Sequence, residues 1–186
     1  MDVKEILHHA EEQMHKAVEH CQIELAKLRT GRASASMLDS VRVEYYGNMS
    51  RLADVATVST PDATMIVVQP WEKNLVGAID RAIQAANLGL NPTNDGIVIR
   101  VPIPSLTEER RKDIVKMAKK YAEDSRVGVR NARREAMEAL KRAEKEINLS
   151  EDARKGAEGD VQKLTDRYIA DVDRVLAEKE KDILTV

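Results

Sequence analysis

The stretch TEERRKDIVKMAKKYAEDSRVGVRNARREAMEALKRAEKEINL, residues 107–149, contains no proline and one glycine. Ile114, Ala118, Tyr121, Ser125, Val129, Ala132, Ala136, Ala139, Ala143 and Ile147 recur along it at spacings of three and four. That spacing predicts one helix with a single apolar stripe, longer than an ordinary globular helix. Ser105 or Thr107 can cap its start, with Glu108 and Glu109 at the positive end of the dipole. A short turn at Asn148 to Ser150 follows, and Ser150, Glu151 and Asp152 then read as a second helix start. The stripe of that next helix is Ala157, Val161, Leu164, Tyr168, Val172 and Val175, ending near Ile183. The short turn forces the two helices to run antiparallel.

The first 30 residues supply a third stripe. Leu7, Met14, Cys21 and Leu28 repeat every seven residues, and Val3, Ala10, Ala17, Val18 and Leu25 fill the positions between. None of the three stripes can be buried alone, so an antiparallel three-helix bundle is expected, thin because so many stripe positions are Ala.

Between these helices the chain changes character. Residues 31–104 carry 13 charged residues in 74, against 49 in the remaining 112, and hold all five prolines. Such a shift marks a boundary, so residues 1–30 and 105–186 form one domain and 31–104 an insert. Within the insert, VRVEYY (41–46) alternates and ends at a Gly47-Asn48 turn pair. Residues 55–58 and 65–68 are rich in β-branched residues, bounded by Pro61-Asp62 and Pro70. Residues 75–88 have helical spacing up to Gly89, and Asn94-Asp95-Gly96 turns into 97–101. The fold class is therefore α+β, a three-helix bundle with an inserted β/α/β domain.

Composition excludes several functions. The chain has 30 Lys/Arg against 32 Asp/Glu, so no net positive field surrounds it. One cysteine allows neither an internal disulfide nor a Cys-based zinc site. No apolar run is long enough for a membrane span. The acidic, amphipathic N-terminus resembles neither a secretory signal nor a transit peptide, which predicts a cytoplasmic protein. His8 with Glu12, and His15 with Glu11 or Glu19, have the spacing of two-ligand metal sites, but a solvated helix face explains them better, and no metal is expected. No phosphate-binding glycine loop or nucleophile motif occurs, so no catalytic residue, cofactor or enzyme activity is expected.

The long helix carries a more specific signal. Projected at about 100° per residue from Ser125, Lys112, Lys116, Lys119, Arg126, Arg130, Arg133, Arg134 and Lys141 fall on one flank, roughly 80° to 180° from the stripe. Between Lys112 and Glu144 the acids on that flank are Glu123 and Glu144. Helices carry mixed charge for solubility and i,i+4 pairing, which accounts poorly for a segregated flank. A phosphate-rich partner accounts for it better, and the central cluster is arginine, suited to bidentate phosphate contact. Aromatics are not interleaved, so stacking on single-stranded bases is disfavoured and recognition of folded RNA favoured.

Two strands of chain join the modules: residues 29–33 with Gly31, and 101–107 with Pro102 and Pro104. Two short crossings suit a hinge of limited freedom, with Thr30, Gly31, Pro102, Pro104 and Ser105 as its residues. A fixed interface is equally compatible with their composition.

LRTGRAS (28–34), VEYYG (43–47), LGLNPTNDG (88–96), IRVPIP (99–104), LTEERRKDIVK (106–116), VRNARRE (129–135), QKLTDRYI (162–169) and KEKDIL (179–184) together resemble the ribosome recycling factor family, over essentially the whole chain. The resemblance implies an L-shaped, hinged molecule that acts as a monomer on the 70S ribosome after termination. It also implies contact with rRNA of the 50S subunit and splitting of the subunits with elongation factor G, releasing mRNA and tRNA. On the family's RTGRA stretch fall Arg29 and Arg32, and on its RNxRR stretch Arg130, Arg133 and Arg134. With Lys119 and Arg126 from the flank, these are the expected rRNA-binding residues. The chain departs from the family pattern at Ser50-Arg51 and at Ser105. Two other readings are a coiled-coil adaptor that binds protein without RNA, and an enzyme with a pocket in 31–104.

Overall fold

The structure, a computed structural model, describes residues 1–185. It divides into two compact units, Met1–Arg29 with Glu109–Thr185, and Thr30–Glu108.

The first unit is helical: α1 (Val3–Ala26), α3 (Glu108–Glu146) and α4 (Glu151–Leu184). Helix α1 begins in a capping box. Glu5 N–H donates to Asp2 Oδ1 at 2.8 Å, and Asp2 N–H donates to Glu5 Oε2 at 2.8 Å. Its buried face is Ile6, Ala10, Met14, Val18, Cys21 and Leu25. Ile6 lies off the heptad line, while Leu7 and Val3 pack at the margin of the same cluster. A helix flanked by two others buries a wider face than a single seam. The cluster also holds Ala136, Leu140 and Ala143 of α3 with Ala157 and Val161 of α4.

On α3 the buried residues are Ile114, Ala118, Ala122, Ser125, Val129, Ala132, Ala136, Leu140 and Ala143. Ala122 and Leu140 thus replace the expected Tyr121 and Ala139, which are half-buried, and Ile147 is exposed beyond the helix end. By helical angle, Ala122 and Leu140 lie nearer than Tyr121 and Ala139 to the side of α3 that carries Arg126 and Arg133, whose partners are on α4. On α4, Thr165 is buried where Leu164 was expected, and its hydroxyl donates to Val161 O at 2.9 Å, which satisfies it inside the core. The turn to α4 has Asn148 at φ 52°, and Ser150 caps α4 by accepting from Ala153 N at 3.1 Å.

The smaller unit contains β1 (Arg42–Tyr45), β2 (Asn48–Arg51), β3 (Ala56–Asp62), β4 (Met65–Pro70), α2 (Val76–Ala85), β5 (Thr93–Asn94) and β6 (Ile99–Pro102). β1 and β2 form an antiparallel hairpin, and the other strands an antiparallel sheet in the order β3-β4-β6-β5. The hairpin pairs Tyr45 with Asn48, so its turn is Tyr46-Gly47, one residue before the expected pair, with φ of 48° and 80°. Positive φ at both central residues suits the twist of a two-residue hairpin. β3 continues through Pro61 instead of stopping there, because it is an edge strand and its register shifts between Ser59 and Asp62. The core joins Val41 and Val43 near β1, Ile66 and Val68 of β4, Val76, Ile79 and Ile83 of α2, and Ile99 and Val101 of β6.

Candidate nucleic-acid interface

The flank cations of α3 differ in how free they are, and the difference follows their angle from the core. Closest to it, Arg126 is only 20% exposed. Its Nη2 lies 2.7 Å from Asp173 Oδ1 on α4, and its Nη1 donates to Glu123 Oε2 at 3.1 Å. Arg133 is half-buried, and its Nε donates to Gln162 Oε1 of α4 at 2.8 Å. Gln162 in turn donates to Asp166 Oδ1 at 2.9 Å. The inner edge of the flank is therefore covered by α4, whose polar side chains hold the arginine stems against it.

Farther round the helix the cations face solvent. Arg130 is 52% exposed, with Nη1 3.2 Å from Glu123 Oε1. Arg134 is exposed and bonds Asn131 Oδ1 on its own helix. Lys119, Lys116 and Lys141 are exposed as well. The guanidiniums of Arg130 and then Arg126 hold the Glu123 carboxyl below the usual range, so it stays ionised beside them. Glu144, the other acid on this flank, is engaged by Arg154 of α4, which also pairs with Glu158 at 2.7 Å.

Gln162, Asp166 and Asp173 were not among the expected site residues. Gln162 and Asp173 are eleven residues apart, about three helical turns, so projecting α4 as α3 was projected would have put both on one line.

Arg29 and Arg32 are exposed and follow α1. Of the expected hinge residues, Gly31 has φ 77°, and a Cβ there would lie 3.0 Å from Leu106 Cγ. Leu106 belongs to the second crossing, so the two crossings touch. Pro102 is the last residue of β6, opposite Met65, and Ile103 N donates to Thr64 O at 2.7 Å. This strand is tied into the sheet as far as Ile103, leaving Pro104 and Ser105 beyond it. Ala33 N donates to Ala63 O at 2.8 Å, which ties the first crossing to the same β3–β4 turn. The departure at Ser50-Arg51 falls in β2, where Arg51 pairs with Asp54 at 3.3 Å.

Among the described residues no three His, Cys, Asp or Glu side chains gather as metal ligands, and no helix is long and apolar enough to cross a membrane. Glu12 pairs with Lys16 at 2.9 Å, and Glu11 accepts from Tyr168 Oη at 3.2 Å. Cys21 is buried, and burial raises its thiol pKa, with the Ser125 hydroxyl partly offsetting this.

Fold and flank together define an α+β protein, a helical unit with an inserted strand-containing unit, whose longest helix gathers exposed cations on one flank. The model of the family described as "Ribosome recycling factor" matches residues 21–184. The ribosome-recycling factor of Nitratidesulfovibrio vulgaris (strain DP4) is 52% identical over 186 residues, covering 100% of both chains. That of Symbiobacterium thermophilum is 52% identical over 183 residues, covering 98% of this chain and 99% of its own. A solution structure of the ribosome recycling factor superposes with TM-score 0.74 at 44% identity, covering 100% of this chain and 99% of that one. A second structure has TM-score 0.63 at 47% identity and covers 99% and 100%. It describes the T. thermophilus ribosome recycling factor with E. coli elongation factor G, bound to the E. coli post-termination complex. This chain belongs to the ribosome recycling factor family.

Proposed function

We propose that this protein recycles ribosomes after termination, docking through the α3 flank on rRNA of the large subunit. With elongation factor G it then splits the subunits, freeing mRNA and tRNA. The observation that carries the docking reading is the segregation of Lys119, Arg130 and Arg134 on the solvent side of one helix flank, with Arg126 and Arg133 braced against α4 beside them. Arginine forks suit phosphate oxygens, and Arg29 and Arg32, both exposed, are expected to contact rRNA as well. The protein acts in the cytoplasm, as a monomer, and performs no chemistry; the energy of splitting comes from its partner.

The two crossings, with Gly31 in one and Pro104 and Ser105 in the other, let the smaller unit act as the lever on which the partner pushes. Docking needs the helical unit alone, and splitting needs the motion.

Co-sedimentation of the purified protein with 50S subunits over a series of monovalent salt concentrations tests the docking reading. Neutralising several phosphates releases counterions, so affinity falls steeply as salt rises. Binding that is flat across low and moderate salt would sink it and favour a protein-only contact.

A further inference from the structure

Glu123 stands among the flank cations, and its partners come from the flank itself. Glu144 is taken by Arg154 of α4. Glu123 instead lies 3.1 Å from Arg126 Nη1 and 3.2 Å from Arg130 Nη1, with its own side chain 53% exposed. Arg126 is held by Asp173 as well, so it stays in place whether or not Glu123 is charged. Arg130 is as exposed as Glu123, so solvent reaches its guanidinium despite the carboxylate bound there. A phosphate brought to Arg130 therefore meets a carboxylate already bound to the same guanidinium. Protonation does not relieve the clash, because the two arginines keep Glu123 ionised.

An anion fixed inside a cation surface affects different polyanions differently. A regular duplex lying along the rod presents phosphates at close, even intervals and cannot leave one position empty. A folded RNA with irregular backbone spacing can approach Lys119 and Arg134 and leave the place of Glu123 vacant. Discrimination of this kind rests on a repulsive element as much as on attractive ones.

We infer that Glu123 is a specificity-determining residue: it occupies the phosphate position between Arg126 and Arg130 and rejects regular nucleic-acid backbones in favour of an rRNA surface that leaves this position empty. The inference rests on the docking reading above.

The test compares wild type, Glu123→Gln and Glu123→Asp at one fixed salt concentration. Each is titrated against a fluorescent RNA duplex of arbitrary sequence and against 50S subunits. Removing a like charge a few ångströms from a phosphate in water is expected to tighten duplex binding by about fivefold, and subunit binding by less than about twofold. The preference for the subunit falls accordingly, and Glu123→Asp keeps the wild-type preference. Thermal melting of the Gln variant shows whether the fold is retained, and Glu123→Ala, which also removes the charge, carries the test if the Gln variant melts early. Failure of the docking reading shows in a separate arm, as wild-type subunit binding that does not respond to salt. The inference is overturned if the Gln variant binds duplex no better than wild type, if both targets gain by the same factor, or if Asp behaves as Gln.

Discussion

Among the described residues with positive φ, Asn148 alone lies in the helical unit, whereas Gly31, Tyr46, Gly47, Asn87, Gly89 and Gly96 all lie in the smaller one. Carboxylates divide in a similar way. In the smaller unit they close turns, as where Asp62 accepts from Thr64 N at 2.7 Å and Asp95 from Val98 N at 2.9 Å, or tie a strand to a loop, as where Glu72 takes the Tyr45 hydroxyl at 3.0 Å. On the helical unit they brace one helix against another, as Asp173 does with Arg126 and Glu144 with Arg154. The smaller unit thus spends its special residues on backbone shape, and the helical unit spends its charges on a surface. Each unit should accordingly fail in its own way.

The largest effect is expected in the thin bundle core. Leu140 is fully buried in a cluster with Ile6, Ala10, Ala136, Ala143, Ala157 and Val161, drawn from three helices. Most of the fully buried neighbours are alanines, which cannot reach into the space, so Leu140→Ala should cost about 2–5 kcal/mol. Chemical denaturation followed by helical circular dichroism measures this. A cost below about 1 kcal/mol would mean that the helices close up on the cavity.

Next comes a contrast between two arginines of the same flank. Arg134 is exposed and bonds Asn131 of its own helix rather than another helix, so Arg134→Ala should leave stability unchanged while weakening 50S binding by about 1–3 kcal/mol, the range of a charge-assisted contact. Arg126 is held between Asp173 and Glu123, so Arg126→Ala should lower stability by about 1 kcal/mol. Its effect on binding should be the smaller of the two. Paired melting and co-sedimentation of both variants decide it. The reverse order would show that the inner edge of the flank, not the outer, meets RNA.

How far the sequence could be read follows the same division. The stripes of α3 and α4 placed most of the bundle core because a long helix repeats one rule many times. The slips at Tyr121 and Ala139 arose because a stripe does not say which side a neighbouring helix will cover. The cation flank was legible as a set of angles. That Arg126 and Arg133 are braced by α4 was not, since Asp173 and Gln162 lie far along the chain. In the smaller unit the turn slipped by one residue because Tyr46 adopts φ 48°, a conformation that side chain gives no sign of favouring. Pro61 and Pro102 read as strand ends, yet both lie in strands, at an edge and at a last residue where no ladder donor is needed.

A smaller effect should appear in acid. Asp95 accepts from the backbone N–H groups of Val98 and Ile97 and from Arg100, which hold its carboxyl well below its ordinary value of 3.8. A group whose folded pKa is depressed stabilises the fold fully above its unfolded pKa, and that contribution is lost as pH falls through the folded pKa. Asp95→Asn should therefore be less stable than wild type at neutral pH, with the gap closing below about pH 4. Melting curves of both proteins across that range measure the gap. A difference that stays constant into strong acid would assign it to lost hydrogen-bond geometry rather than to charge.

The finest distinction lies between two glycines of the smaller unit with nearly the same backbone. Gly31 has φ 77° and Gly47 has φ 80°. At Gly47 an added Cβ would meet nothing within 4 Å, so Gly47→Ala should cost only the left-handed conformation, about 1 kcal/mol. At Gly31 the same Cβ would lie 3.0 Å from Leu106 Cγ and 3.2 Å from Leu106 Cδ1. Gly31→Ala should cost more, by up to about 1 kcal/mol, because the leucine has to shift. Neighbouring substitutions couple when they share a contact, so the excess should vanish when both variants are made on a Leu106→Ala background. Thermal unfolding of the four variants measures this double difference. Equal costs at the two glycines on the wild-type background would mean that Leu106 yields freely, and that the second crossing does not restrain the first.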